Sequence, residues 1–306
     1  MLFIGVQSYI LATAAENRKT QGASIIVFGF QGGMISGMAI GSLLVTQMGP
    51  EGVFALAGGI ALFMALYTLV VVPNVSTRAL EDSQGGASLR VLFRDLIRAM
   101  RSFEFLRTMF LIGVPAKAVL TGVIIFALPV LMTKAQYVQE DIGQVLMVYA
   151  GAVVLASGYA SRSVDRSGRT DQALFLGSIV SGAGLILIGM TGWGPLANQA
   201  SNATLLTVLL IAGVAIVGIA HGFINAPVVT HIANSELSAV TGESAATAAY
   251  RFLERLGHVA GPIIVGQLFL FGGQDPMVIA WIGGGVAVLG VLFLIKPTPT
   301  QLSYER

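Results

Sequence analysis

Seven side chains stand out because they are ionisable or amide groups set within long apolar stretches: Lys117, His221, Asn225, Arg251, Glu254, Arg255 and His258. An ionisable group inside a bilayer-spanning helix is costly, and one that is retained there binds, couples or pairs. Lys117 lies about 18 Å into its apolar run at 1.5 Å per helical residue, too deep to snorkel comfortably to either surface. Its ammonium suits an anionic or carbonyl group of a bound solute; an ion pair with a carboxylate on another helix is the alternative. Arg251, Glu254, Arg255 and His258 follow helical spacing, so Arg251–Glu254 and Glu254–His258 can pair within one helix. If protons are the coupling ion, Glu254 or His258 is the group to carry one. The competing reading is an internally neutralised packing or gate cluster, with Arg251 an interfacial anchor. His221 and Asn225 are one turn apart and share a face, and Pro227 beyond them opens the helix to a cavity. There, a satisfied interior histidine and a substrate contact both remain open.

The elements that would position these groups are legible from hydropathy. The chain is 55% hydrophobic and 10% charged, with a mean hydropathy of +0.82, whereas soluble domains carry about 25% charged residues. Eight apolar runs, 22–46, 51–73, 105–133, 142–161, 172–192, 205–230, 242–272 and 276–296, are each long enough to cross a bilayer. Turn residues punctuate them at Gly49-Pro50, Gly192–Pro195 and Gly272–Pro276.

Charge gives the expected orientation. Thirteen of the 17 Lys/Arg lie on alternate connections: Arg18 and Lys19; Arg78, Arg90, Arg94, Arg98, Arg101 and Arg107; Arg162, Arg166 and Arg169; Lys296 and Arg306. The opposite connections carry only Lys134. By the positive-inside rule the basic side, with the C-terminus, is cytoplasmic. The expected location is a plasma membrane, the inner membrane of a bacterium. Leu2–Ala15 is too short to span and is read as the inner half of a helix rather than a signal peptide, because Arg18 and Lys19 follow it directly.

Several function classes are excluded. With no cysteine there is no disulfide framework or thiolate metal site. His221 and His231 are too isolated for a metal site, and no nucleophile elbow, phosphate-binding glycine loop or HExxH is present. An enzyme and a nucleotide-driven pump are therefore not expected, no cofactor is expected, and no soluble basic domain exists to bind nucleic acid. The expected partners are the lipid bilayer, a small-molecule solute and protons.

Glycines set the expected packing. Gly29, Gly33, Gly37 and Gly41 form one stripe, and Gly257, Gly261 and Gly266 nearly another. Such spacing lets helix backbones approach closely, either as static packing or as a smooth surface on which bundles rock. The connection 74–104 begins with a polar linker, Val75–Ser88. It continues as an amphipathic helix with Leu89, Leu92, Phe93, Leu96, Ile97, Met100 and Phe103 opposite Arg90, Arg94, Arg98 and Arg101.

Between two of the runs stands Ser161-Arg162-Ser163-Val164-Asp165-Arg166-Ser167-Gly168-Arg169-Thr170. This resembles the cytoplasmic loop motif G-x-x-x-D-R-x-G-R-R of the major facilitator superfamily. Asp165, Arg166, Gly168 and Arg169 match it; Ser161 and Thr170 depart from it. Gly168 suits a tight hairpin turn. The resemblance implies that this loop helps to hold a cytoplasmic gate shut.

The order of spans also resembles the later two-thirds of a twelve-helix member of that family. The implied organisation is an incomplete N-terminal bundle over 1–73, a cytoplasmic linker with its surface helix over 74–104, a complete six-helix C-terminal bundle over 105–296 and a cytoplasmic tail over 297–306. Residues 1–15 would be the end of the fourth helix. The expected fold class is thus an all-α polytopic membrane protein of major-facilitator-like bundles, with about eight full transmembrane helices and a partial first one. The implied function is secondary transport of a small solute by alternating access, with Lys117 as anchor. Members line their cavity from both halves, so this chain, read as a fragment of a twelve-helix protein, would hold half a site and is not expected to transport by itself. Gly33–Gly41 lacks the Gly-Pro that marks antiporters of the family, which speaks against drug–proton antiport. A membrane sensor or anchor that keeps the fold without transport is the alternative.

Overall fold

The computed structural model describes residues 19–72, 94, 97–192, 194–197 and 203–295. Leu2–Ala15, the linker Val75–Ser88, most of the amphipathic stretch that follows it and the tail 297–306 lie outside the described residues. Among the described residues there is no strand, and seven helices are long and apolar enough to cross a membrane. The chain is an all-α polytopic membrane protein.

The long helices are α1 (Lys19–Val71), α2 (Phe103–Lys134), α3 (Gln139–Ser167), α4 (Thr170–Gly189), α5 (Ala203–Ala233), α6 (Glu243–Gly272) and α7 (Met277–Leu294). They belong to two compact units: Met1–Asp95 with Met132–Gly151, and Leu96–Leu131 with Ala152–Arg306.

In the first unit α1 is two helical segments joined at a kink, where Gly49 takes φ 68° and ψ 170° and Pro50 starts the second segment. Pro suits the first helical position because its missing N–H would be unpaired there anyway. Beyond the kink the apolar side chains, among them Phe54, Leu62, Phe63 and Leu69, are exposed, as suits acyl chains. Gly29, Gly33 and Gly37 meet nothing within 4 Å among the described residues. Ser42 is buried beneath Gly143 of α3, where a Cβ would fall on the serine side chain.

The second unit holds the larger core. Helix α4 packs on α5 and on α7, and α6 packs on α2. Small residues allow these contacts: a Cβ on Gly182 would stand 2.7 Å from the Gly283 carbonyl oxygen on α7. Between the helices lies an apolar cluster that includes Phe105, Met109, Ile112, Leu174, Tyr250 and Phe293.

Helix α2 is not a regular α-helix. It runs in π-helical register over Met109–Gly113 and again over Val119–Ala127, on either side of Pro115. The Val114 N–H bonds the Met109 carbonyl and the Leu128 N–H bonds that of Val123, five residues back in each case. Proline has no N–H to give to the turn before it, and widened turns are one way a helix absorbs that loss. By contrast α5 continues through Pro227, which is buried, and α6 through Pro262. The helix is not broken at Pro227, although the proline has no N–H to give to the Phe223 carbonyl.

Candidate functional site

Lys117 lies on the short α-helical turn Val114–Ala118 between the two π-helical stretches of α2. It is brought close to α6 because the two backbones nearly touch. A Cβ on Gly257 would fall on the Val114 carbonyl oxygen and 2.8 Å from the Lys117 Cβ, and one on Gly261 would stand 2.5 Å from the Ala118 carbonyl oxygen. From the other side, a Cβ on Gly122 would meet the Gly261 carbonyl oxygen at 2.5 Å. Thr121 strengthens the seam. Its hydroxyl stands 3.0 Å from the Lys117 carbonyl, 3.1 Å from that of His258 and 3.5 Å from that of Gly257, sharing its proton among them. Of the second glycine stripe, Gly257 and Gly261 form this seam while Gly266 meets nothing within 4 Å.

Across this seam, and from α5, four groups converge. Lys117 Nζ donates to Asn225 Oδ1 at 3.0 Å. Glu254 Oε2 lies 3.7 Å from Nζ, an ion pair longer than a hydrogen bond. Glu254 Oε1 accepts from Arg251 Nη1 at 3.2 Å. The carboxylate is 3% exposed, the lysine 14% and the arginine 42%. Buried charges are tolerated when paired and hydrogen-bonded, and here one carboxylate stands between two cations.

The sequence-expected groups therefore separate into two sets. Lys117, Asn225, Arg251 and Glu254 come together. The Arg251–Glu254 pair forms as its spacing suggests, but Glu254 turns its second oxygen to Lys117, and no Glu254–His258 bond is found among the described residues. His258 is half-buried and joins the seam through its carbonyl, whereas Arg255 is exposed. His221 is buried on α5 with its Nε2 3.4 Å from the Ser181 hydroxyl of α4, so the face it shares with Asn225 serves two neighbours.

The loop expected to form a gate is a tight turn between α3 and α4. Gly168 adopts φ 66°, the left-handed region that glycine enters without strain. Its N–H donates to the Val164 carbonyl at 2.7 Å, and the Arg169 N–H donates to the Ser167 hydroxyl at 3.3 Å. Arg169 is exposed. Asp165 and Arg166 lie in the last turn of α3, and their side chains are outside the described residues.

A second polar cluster escaped the sequence reading. His231, near the end of α5, has its Nε2 3.1 Å from the Thr108 hydroxyl of α2. Its Nδ1 lies 3.1 Å from Asp171 Oδ1 and 3.2 Å from the Thr170 hydroxyl, both on α4. Its ring meets Phe293 of α7 edge-on at 6.1 Å, and the Arg107 guanidinium stacks over that phenylalanine at 4.9 Å. One signal was available: Arg107, Thr108, Thr170, Asp171 and Phe293 lie within a turn or two of basic connections, and the alternation of the spans puts His231 on the same side. Among the described residues no group of three metal-ligating side chains occurs.

Comparison with known proteins gives one family. The family model described as Major Facilitator Superfamily matches residues 1–242, which covers α1 to α5 and the Gly168 turn. No curated protein matches the chain.

Proposed function

The chain belongs to the major facilitator superfamily, and from that premise we propose that it is a secondary transporter, moving a small solute across the membrane by alternating access. The observation that carries this reading is the meeting of Lys117, Asn225, Glu254 and Arg251 from three helices within apolar spans. A purely structural helix contact in lipid needs only small residues and packing, which the Gly257–Gly261 seam already supplies. Charges added beside that seam carry a cost unless they serve binding or coupling.

In this reading the Lys117–Asn225 pair is the solute anchor. Glu254 and the neighbouring His258 are the groups that take up and release a coupling proton, and the Asp165–Arg169 segment is part of a gate. Arg251 holds Glu254 in place, Arg255 tunes the local field, and His221 secures α5 against α4. A bacterial inner membrane with a cytoplasmic C-terminus is the setting that the basic connections support.

The test is flux in proteoliposomes of the purified protein over a panel of organic anions, cations and neutral solutes, with and without an imposed pH gradient. Flux of one solute class, lost in Lys117→Met and Glu254→Gln with the helical signal retained, is the expected result. Because this chain is expected to hold half a site, the same panel is run on a form extended upstream in its reading frame; a folded extended protein that moves nothing would overturn transport and raise the sensor or anchor reading. Flux indifferent to the pH gradient would remove the proton role of Glu254 and His258.

A further inference from the structure

The donors and acceptors around Lys117 are unevenly disposed. The ammonium has three donors, and one of them goes to Asn225 Oδ1 at 3.0 Å. That bond also orients the amide, because Oδ1 must face the ammonium and Nδ2 is turned from it. The two Nδ2 donors make no hydrogen bond among the described residues. Neither Lys117 nor Asn225 is fully buried. The one carboxylate of the site is placed differently: Glu254 is 3% exposed, and its Oε1 is already taken by Arg251. An approaching molecule therefore meets donors first, with the acid behind them.

Charge gives the same answer. Among the paired groups Lys117 and Arg251 contribute two positive charges against the single negative charge of Glu254, an excess of one in a setting where net charge is costly; the exposed Arg255 adds a further positive charge outside the pairing. The complement is one negative charge carried on a group with two acceptor oxygens. A carboxylate can accept from an ammonium and from an amide N–H side by side, and charge-assisted bonds of this kind are the strong ones. A dianion would exceed the positive excess of the paired groups by one charge.

We propose that the solute held by this site is a small organic monoanion, its carboxylate bound between Lys117 Nζ and Asn225 Nδ2. The assignment rests on the transporter reading for its role and on the donor arrangement for its chemistry, and the two are separable by experiment.

The experiment is equilibrium binding to the full chain, purified in detergent and reconstituted in vesicles. The probes are lactate and benzoate as monocarboxylates, succinate as a dianion and benzylamine as a cation. Saturable binding of a monocarboxylate, weaker for succinate and absent for benzylamine, is expected. Asn225→Ala should weaken it about ten- to hundred-fold, the loss of one hydrogen bond to a charged group, and Lys117→Met should abolish it. Because Lys117→Met leaves Glu254 without one of its cations and is the variant less certain to fold, Asn225→Ala decides the matter, with circular dichroism confirming its fold. Absence of monocarboxylate binding by the folded protein, or binding unchanged in Asn225→Ala, overturns the proposal. So does preference for benzylamine. Monocarboxylate binding without flux in the same vesicles, by this chain and by its upstream-extended form alike, supports the site and overturns the transporter reading. Flux of a neutral or cationic solute without monocarboxylate binding does the reverse.

Discussion

His231 Nδ1 and Asp171 Oδ1 lie 3.1 Å apart, joining the end of α5 to the start of α4. Where a carboxylate is ionised it only accepts, and the pair then assigns the proton to Nδ1 as the donor. The other ring nitrogen faces the Thr108 hydroxyl at 3.1 Å, and that hydroxyl is also 3.0 Å from the Glu104 carbonyl. A hydroxyl has one proton. Given to Glu104, it leaves an oxygen that accepts from a protonated Nε2; given to His231, it serves a neutral ring.

Both arrangements tie α2, α4 and α5 through one residue, and the first prediction follows. His231→Ala should destabilise the protein by about 1–3 kcal/mol, the range for stranding buried partners, read as a lower thermal midpoint in detergent. Asp171→Asn should cost less, because an amide still accepts from Nδ1. Equal midpoints for wild type and His231→Ala would show that these helices do not depend on the cluster.

The α2–α6 seam makes a sharper comparison. Gly257→Ala places a methyl on the Val114 carbonyl oxygen and Gly261→Ala one 2.5 Å from the Ala118 carbonyl oxygen, whereas Gly266→Ala meets open space. The first two should cost about 1–3 kcal/mol each by overpacking. Gly266→Ala should be neutral or slightly stabilising, since alanine is the better helix former. Thermal midpoints of the three variants check this, and a ranking with Gly266→Ala worst would refute the seam.

Those glycines also show what the sequence made legible. Gly257 and Gly261 are four apart and share a face, while Gly266 is five further on and rotated by about 140° at 100° per residue, so only part of the stripe faces α2. The spans and the Gly168 turn follow from hydropathy, charge and glycine placement, which are local properties. The partner of Lys117 was not legible. Asn225 is 108 residues away and comes near only because α5 and α6 both border α2. Spacing within α6 suggested a Glu254–His258 pair, but a helix offers proximity on one face without deciding which neighbour wins. In a low-dielectric interior the ammonium of Lys117 is the stronger claim on Glu254. His231 looked isolated for the same reason: its partners Thr108, Thr170 and Asp171 lie on other helices.

The charged core lends itself to a double-mutant cycle. Glu254→Gln leaves Lys117 and Arg251 without their shared counter-charge, and breaking a buried pair from one side costs about 3–5 kcal/mol. Lys117→Met alone should cost less, because Arg251 still holds the carboxylate at 3.2 Å. The double variant Lys117→Met/Glu254→Gln should recover part of the stability while remaining without flux. Recovery of flux together with stability would make the core a packing device and remove it from the transport cycle.

Orientation can be settled with the chain's own chemistry, because it contains no cysteine. Single cysteines at Arg169, exposed in the α3–α4 turn, and at Gln136, exposed between α2 and α3, give two unambiguous labels. Helix α3 between them has 29 residues, about 44 Å at 1.5 Å per residue and ample for a bilayer core of about 30 Å. If α3 spans, the two sites lie on opposite faces. Thirteen of the 17 Lys/Arg fall on the connections that share a side with Arg169, so a membrane-impermeant maleimide applied to intact cells should label Gln136→Cys alone, and Arg169→Cys only after the membrane is opened. The reverse pattern would invert the orientation and make the Asp165–Arg169 turn external. Labelling of both from one side would mean that α3 does not span, and would break the alternation on which the assignment of every other connection depends.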